Sequence, residues 1–340
     1  MKHPNKRVTI KDVAELAQVS PSTVSHTLSG KRSISEATRS RVTAAIKKLG
    51  YHPNPQARLM KTRPADLVGL ILRPDLGEPD NLIAHETFSR LLGAAAIKAV
   101  QMGVGLVQLP VVSDDILKTL PVNGFIVAHP NKNDEVLTAL EEQHAPLVCI
   151  DADAAREHDF PLVEIDYRAG IDQLLEGIQL PAGSEIWLII SEETNAWTRA
   201  AKGAARQRAL QSSARLVIRE TTGYLPAMKA SDLVESMFSE ASAPPSLIAY
   251  GRSDLTEPIL KAMQKRNLSA PADIQLAALT DTVHTKTSTP KVTALDLNHE
   301  AAAEAAIEQM LRVLHEPTAM PEPIVVETSQ HFRDSTLGGQ

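Results

Sequence analysis

Between residues 66 and 279 the chain repeats a single motif: a short, nearly unbroken apolar run followed by a longer stretch with helical periodicity. The runs fall at 67–72, 105–109, 124–128, 147–151, 185–190, 215–218, 246–250 and 274–279. Between the first two, residues 88–102 place Leu91, Leu92, Ala95 and Ala99 on one helical face. A strand that is apolar along its whole length is covered on both faces, and parallel neighbours must be joined by crossovers that are usually helical. The pattern predicts an α/β body of parallel sheets with helices on both sides.

At 340 residues the chain is too long for one ordinary core and divides into two or three domains. No apolar run approaches the length that spans a bilayer, and no apolar segment follows the first seven residues as a signal peptide would require. The single cysteine, Cys149, excludes an internal disulfide and a thiolate zinc cluster. It lies in an apolar run, as a buried inert thiol does. These features predict a soluble cytoplasmic protein with no membrane association, no metal and no cofactor.

The first 50 residues follow a different pattern. Thr9 with Asp12 three positions on is a helix-start signature, and Val13, Leu16 and Ala17 give that helix a packing face. Gln18, Val19 and Ser20 make a tight turn. Ser20 then caps a second short helix, with Pro21 at the first helical position, where a missing N–H costs nothing. Val24 and Leu28 form its apolar side and leave Ser22, Ser25 and His26 outward. A third helix opens at Ser35 and Glu36, supplies Val42, Ile46 and Leu49 to the core, and ends at Gly50. Helix, turn and second helix with small polar outward positions is the helix-turn-helix arrangement. Charge agrees with it. Residues 1–63 hold 13 Lys and Arg against 3 Asp and Glu, a net of +10. The remainder holds 22 against 38, a net of −16, so that the chain as a whole carries −6. A basic head on an acidic body is the distribution expected when only the head meets phosphates.

Several ordered blocks carry a closer likeness: Thr9-Ile10-Lys11-Asp12-Val13-Ala14, Val19-Ser20, Thr23-Val24-Ser25, Ser35-Glu36 with Thr38-Arg39, and Leu49-Gly50-Tyr51 with Pro53-Asn54. Together they resemble the headpiece of the LacI/GalR bacterial repressors over roughly fifty residues. The resemblance implies a helix-turn-helix headpiece over 1–50, a hinge helix and linker over 51–65, and an effector-binding and dimerisation domain over 66–340. That last part would comprise two α/β subdomains of the periplasmic-binding-protein type. It further implies that Pro21, Ser22 and His26 face base edges. His26 can donate to guanine N7 or O6, whereas Pro21 offers only apolar contact. Thr9, Lys11, Thr23, Ser25, Lys31, Arg32 and Arg39 would contact phosphates and fix register. Lys47 and Lys48 either do the same or favour the dipole of their helix end. In the hinge, Ala57, Arg58, Leu59 and Met60 would enter the minor groove. Met60 stands where the family usually has a wedging leucine, a role Leu59 can share.

Ligand in such a body would sit at the carboxyl ends of strands, between the subdomains. Asp75, Asp151, Asp254 and Asp281 follow strands, and Asp166 stands at a family cleft position. A carboxylate accepts two hydroxyls at once; Asp254 serves either a ligand or a helix cap. Arg199 is one position away from the family's usual effector-binding arginine, where Ala200 stands, a rotation of about 100° around the helix. Aromatic residues are only 3% of the chain, leaving Trp197, Phe88 and Tyr250 as stacking surfaces. With no leucine heptads at the C-terminus, a two-fold dimer on a near-palindromic double-stranded DNA operator is expected. The reading is a DNA-binding repressor whose effector is a sugar, sugar phosphate or nucleoside. The alternatives are an effector-independent regulator with a degenerate pocket, an enzyme on the α/β body, or a solute-binding protein. No P-loop, GxGxxG, HExxH or GxSxG supports an enzyme.

Overall fold

A computed structural model describes residues 9–29, 34–49, 66–72, 86–109, 121–153, 155, 160–221, 227–316 and 322–338. The expectations for Lys31, Arg32, Asp75 and the hinge residues Ala57, Arg58, Leu59 and Met60 lie outside these residues, as does the side chain of Ser25. The chain separates into two compact units, Met1–Ala65 and Asp66–Gln340.

In the first unit, α1 (Ile10–Ala17), α2 (Pro21–Ser29) and α3 (Glu36–Leu49) enclose a small core of Val13, Ala14, Ala17, Val24, Val42 and Ala45. Leu16, expected in that core, is 42% exposed. The buried face of α1 carries Val13, Ala14 and Ala17, and Leu16 falls outside it. Gln18 takes a left-handed conformation (φ 50°) and ends α1, which sets up the two-residue step into α2.

The second unit contains two six-stranded sheets. The first has the order β11-β5-β4-β3-β1-β2 and is parallel throughout: β1 (Leu67–Leu72), β2 (Gly105–Leu109), β3 (Gly124–Ala128), β4 (Leu147–Ile150), β5 (Leu162–Ile165) and β11 (Ile324–Val326). The second has the order β12-β10-β9-β8-β6-β7, with β6 (Glu185–Ser191), β7 (Arg215–Thr221), β8 (Leu247–Tyr250), β9 (Gln275–Ala278), β10 (Thr293–Asp296) and β12 (Ser329–His331). Only β12 runs antiparallel, against β10. The helices are α4 (Glu86–Gln101), α5 (Glu135–Glu142), α6 (Tyr167–Glu176), α7 (Ala196–Gln211), α8 (Ala227–Glu240), α9 (Thr256–Gln264), α10 (Val283–Thr287) and α11 (His299–His315).

The two sheets are not simply consecutive. After β5 the chain passes through α6, which packs on α7 and β10; after β10 it returns through α11, which packs on α4 and on the first sheet. The C-terminal strands then divide, β11 to the first sheet and β12 to the second. The last strand ends at His331, and residues 332–336 follow it outside the sheet. Side chains tie that segment down instead. Ser335 Oγ accepts from Thr293 N–H at 2.9 Å and donates to the Leu276 carbonyl at 2.7 Å, while the Thr293 and Thr336 hydroxyls are 2.7 Å apart. Among the described residues no helix is long and apolar enough to cross a membrane.

Candidate functional site

Local capping explains the form of the head. The Asp12 carboxylate accepts from both the N–H and the hydroxyl of Thr9, each at 2.7 Å, closing the start of α1. Ser20 Oγ accepts from the Thr23 N–H at 3.1 Å and so caps α2. The same oxygen is hydrogen-bonded to the hydroxyls of Ser22 (2.7 Å) and Thr23 (2.8 Å). Pro21 and Ser22 are exposed and His26 is half-buried on α2; Thr9, Lys11 and Arg39 are exposed as well. The first turn of α2 therefore presents hydroxyls and a proline ring on a helix that Val24 anchors to the core.

Parallel strands all end on the same side of their sheet, and in the second unit the carboxyl ends of both sheets meet at a cleft of about 960 Å³, counted out to its open mouth. From the first sheet come His129, which follows β3, and Asp151, which follows β4; Tyr167 opens α6 after β5, and Phe88 lies in the first turn of α4. The second sheet contributes Ser191 at the end of β6, Trp197 in the first turn of α7, the 251–254 segment after β8, Thr280 and Thr282 after β9, and His299 after β10. The rims are pinned by backbone contacts: Val283 N–H donates to Glu86 Oε2 and Lys132 N–H to the Thr194 carbonyl, both at 2.8 Å.

The floor is a buried polar cluster. Asp151 Oδ2 accepts from the Tyr167 hydroxyl at 2.6 Å and lies 2.8 Å from His129 Nδ1, while Oδ1 accepts from the Ile165 N–H at 3.2 Å. Burial, reinforced by the Asp151 charge, pushes the Tyr167 phenol well above its usual range, so it keeps its proton and donates. The His299 ring stands edge-on to His129 with centroids 5.4 Å apart. Burial holds His299 well below the ordinary histidine value, and the nearby His129 and Arg90 add to this. Among the described residues, three buried nitrogens on the cleft-lining side chains have no protein partner: His129 Nε2, His299 Nδ1 and Trp197 Nε1. The Trp197 indole lies over Gly251, where a Cβ would stand 2.5 Å from its Cη2.

The sequence-predicted effector residues divide. Asp151, Trp197 and Asp254 line the cleft, as do Phe88, His284, His299 and His129, the last of which carries no sequence signal of its own beyond following an apolar run. Asp254 is also paired with Arg252, whose Nε donates to Oδ1 at 3.1 Å. Asp166, Arg199, Asp281 and Tyr250 are not among the lining residues. Asp166 caps α6 by accepting from the Ala169 N–H at 3.1 Å. Asp281 is buried in a two-point pair with the Arg333 guanidinium, both contacts 2.8 Å, and also accepts from Thr285. Arg199 is exposed on α7. Tyr250 is fully buried, its hydroxyl bonded to Thr256 at 2.9 Å. Asp281, Asp296 and His331 bring ligand-type atoms within 4.8 Å of one another, but Arg333 and Arg90 already neutralise the two carboxylates.

A family profile described as "Bacterial regulatory proteins, lacI family" matches residues 9–54, and one described as "Periplasmic binding protein-like domain" matches residues 184–336. Together they take in well over half of the chain. The chain is 25% identical over 340 residues to the HTH-type transcriptional regulator MalR of Staphylococcus xylosus, covering 97% of this chain and 98% of that protein. A crystal structure of the lac repressor dimer bound to operator and the anti-inducer ONPF aligns over 98% of this chain and 100% of its own, with TM-score 0.77 and 19% identity. A complex of the transcriptional regulator CelR with cellobiose aligns over 97% and 100%, with TM-score 0.68 and 19% identity. The lacI-family profile on the head, the periplasmic-binding-protein-like profile on the body and a near-full-length relative that regulates transcription agree: the chain is a lacI-family, DNA-binding, repressor-type transcriptional regulator.

Proposed function

We propose that this regulator binds a near-palindromic operator as a homodimer and that its affinity for DNA responds to an uncharged, hydroxyl-rich effector, a sugar, held in the cleft. In this reading residues 1–50 are the headpiece, 51–65 the hinge, and 66–340 the sensor and dimerisation domain. Pro21, Ser22 and His26 read bases, while Thr9, Lys11, Thr23, Ser25, Lys31, Arg32 and Arg39 hold phosphates. The observation that carries the effector class is the cleft's polarity. Among the described residues, Glu86, Asp151, Glu193 and Asp254 line it, and Arg252, the one guanidinium among them, is bound to Asp254. Such a wall repels a phosphate, whereas hydroxyls can satisfy both the carboxylates and the three unpartnered nitrogens. For the dimer, α4 supports the reading through an exposed apolar side on which Ile97 is 63% and Val100 79% accessible.

The test is selection of bound sequences from random duplex DNA, followed by titration of the enriched sequence. A two-fold repeat whose affinity falls steeply with salt, and shifts on adding cellobiose or maltose but not glucose 6-phosphate, is the expected result. Enrichment of asymmetric single half-sites, or a response to the phosphate ester alone, would refute the dimer and the effector class respectively.

A further inference from the structure

We propose that His129 determines the specificity of the cleft: Asp151 and Tyr167 fix its ring so that Nε2 is an obligate hydrogen-bond acceptor, and an effector must offer that atom a hydroxyl or N–H hydrogen. The inference deepens the effector reading above and rests on the cleft being the effector site.

The geometry begins at two neighbouring strand ends. Ala128 and Ile150 are register partners on β3 and β4. The next residue on each strand, His129 (φ 58°) and Asp151 (φ 69°), adopts the left-handed region that residues with side chains rarely occupy. Both remain tied to the sheet, His129 N–H donating to the Ile150 carbonyl and Asp151 N–H to the Val163 carbonyl, each at 2.8 Å. Two adjacent residues held in the same unusual conformation bring their side chains together, and such over-determined conformations gather at functional sites.

What they bring together is a fixed tautomer. The Asp151 carboxylate is a pure acceptor, already taking the Tyr167 hydroxyl and the Ile165 N–H. A lone pair on His129 Nδ1 facing Oδ2 at 2.8 Å would be repelled, so Nδ1 carries the proton. In the neutral ring the lone pair is then on Nε2, which is buried and has no protein partner. Among the described residues, the rings packed against His129 make no hydrogen bond to Nε2: Phe88 lies 5.8 Å away on one side and the His299 ring 5.4 Å away on another. Trp197 Nε1, unpartnered in the same cleft, has the opposite polarity because an indole N–H can only donate. An effector is thus read by at least one donated and one accepted hydrogen. A methyl ether, a fluorine or a missing hydroxyl at His129 leaves a desolvated acceptor unpaired, which is how a polar site rejects an analogue far more strongly than an apolar pocket does.

The test uses the full-length protein and has two arms. In the first, long-range proton–nitrogen spectra of histidine-labelled protein are recorded at about pH 8, above the ordinary histidine pKa. The His129 signals are identified by their loss in His129→Phe. The Nδ1–H form is expected; the Nε2–H form overturns the proposal whether or not any sugar binds. In the second, cellobiose and maltose are titrated calorimetrically. For whichever binds, His129→Phe is expected to weaken affinity by about 10²-fold or more, with part recovered in His129→Gln, which restores an acceptor. Unchanged affinity in His129→Phe overturns the proposal, and an unchanged cooperative thermal melt of the 66–340 unit shows that the variant is folded. If neither sugar binds the wild-type protein, the effector class proposed above fails for these probes, and the tautomer alone decides the claim for His129.

Discussion

Arg90 and Asp296 lie 206 positions apart in sequence, yet Nη2 of the first stands 3.1 Å from Oδ2 of the second. Arg90 is on α4, which packs with α11 against the first sheet, and Asp296 closes β10 of the second. The same guanidinium donates through Nε to Glu300 at 2.6 Å and through Nη1 to the Asp281 carbonyl at 3.3 Å. Burial opposes its charge, but the hydrogen bonds and fields of Glu300 and Asp296 outweigh burial and raise its pKa, so it stays charged at any working pH. The pair is a clasp between the subdomains, one residue before Leu297 on the cleft wall.

Arg90→Met removes the clasp and leaves two carboxylates facing each other. The 66–340 unit should lose about 1–3 kcal/mol, the scale of hydrogen bonds to charged groups. Urea unfolding at neutral pH measures it. Pairing Arg90→Met with Asp296→Asn should cost less than the two losses added, because the second change relieves the orphaned charge. Additive losses would mean that the two residues do not interact in solution.

Trp197 owes its position to the missing side chain at Gly251. A Cβ there would lie 2.5 Å from Trp197 Cη2 and 2.6 Å from Ile190 Cδ1, and Ile190 is buried within a strand. The indole must move before the isoleucine can. Gly251→Ala should therefore destabilise the body by about 1–3 kcal/mol, the usual cost of overpacking. It should also shift the emission attributable to Trp197, isolated in a Trp187→Phe background. Sugar binding should weaken along with the spectral change; a full affinity with an unchanged spectrum would show that the cleft accommodates the methyl group elsewhere.

How much of this was legible in sequence depended on whether a feature was local. The three head helices follow from caps and spacing within a few residues, as with Thr9 and Asp12 or Ser20 and Thr23. The central strands show because burial on both faces leaves them wholly apolar. β5, β10 and β12 do not read as strands, since Glu164, Asp296 and the polar Ser329–His331 run interrupt any apolar pattern, and pairing with distant strands gives them their place. The cleft shows the same limit. Asp151 and Asp254 stand out as carboxylates at strand ends, but so do Asp281 and Asp166, and position alone does not reveal that Arg333 engages one and a helix start the other. His129 had the same signal, a polar residue directly after an apolar run, and it gains meaning only once Asp151, Tyr167 and His299 converge from other elements.

Protonation separates two contributions to stability. His299 has a folded pKa well below 6.5, with burial as the first cause. As pH falls below that ordinary value, the unfolded chain takes up a proton that the folded state refuses, and stability declines until the folded pKa is reached. Asp281 is held below 3.8: burial alone would raise it, but hydrogen bonds from Arg333 and Thr285 outweigh burial. Its contribution is present above that value and is lost only as pH falls further. Thermal melts should thus show two losses on acidification, one starting near the histidine range and one near the carboxylate range. His299→Phe should flatten the first and leave the second. An unaltered slope between about pH 6.5 and 5 in that variant would place the effect on another group.

The head makes a prediction of a different kind, because base contacts and phosphate contacts respond differently to salt and sequence. Lys11 and Arg39 are exposed basic side chains. If each neutralises one phosphate, Lys11→Gln and Arg39→Gln should each weaken binding almost equally across sequences and reduce the slope of log affinity against log salt by about 1. His26 sits half-buried on α2, a helix that Val24 anchors and Ser20 caps. His26→Ala should leave the salt slope nearly unchanged and cost about 1–3 kcal/mol against the preferred base pair, with discrimination relaxed at one position in each half-site. Ser22 is a more subtle case, because its hydroxyl is bonded to Ser20 at 2.7 Å. A base acceptor would compete with Ser20 for its single hydrogen, so Ser22→Ala should cost less than His26→Ala. Competition binding of both variants against a set of single-substitution operators measures the difference. Equal losses across all substitutions for His26→Ala would move that residue from the bases to the backbone.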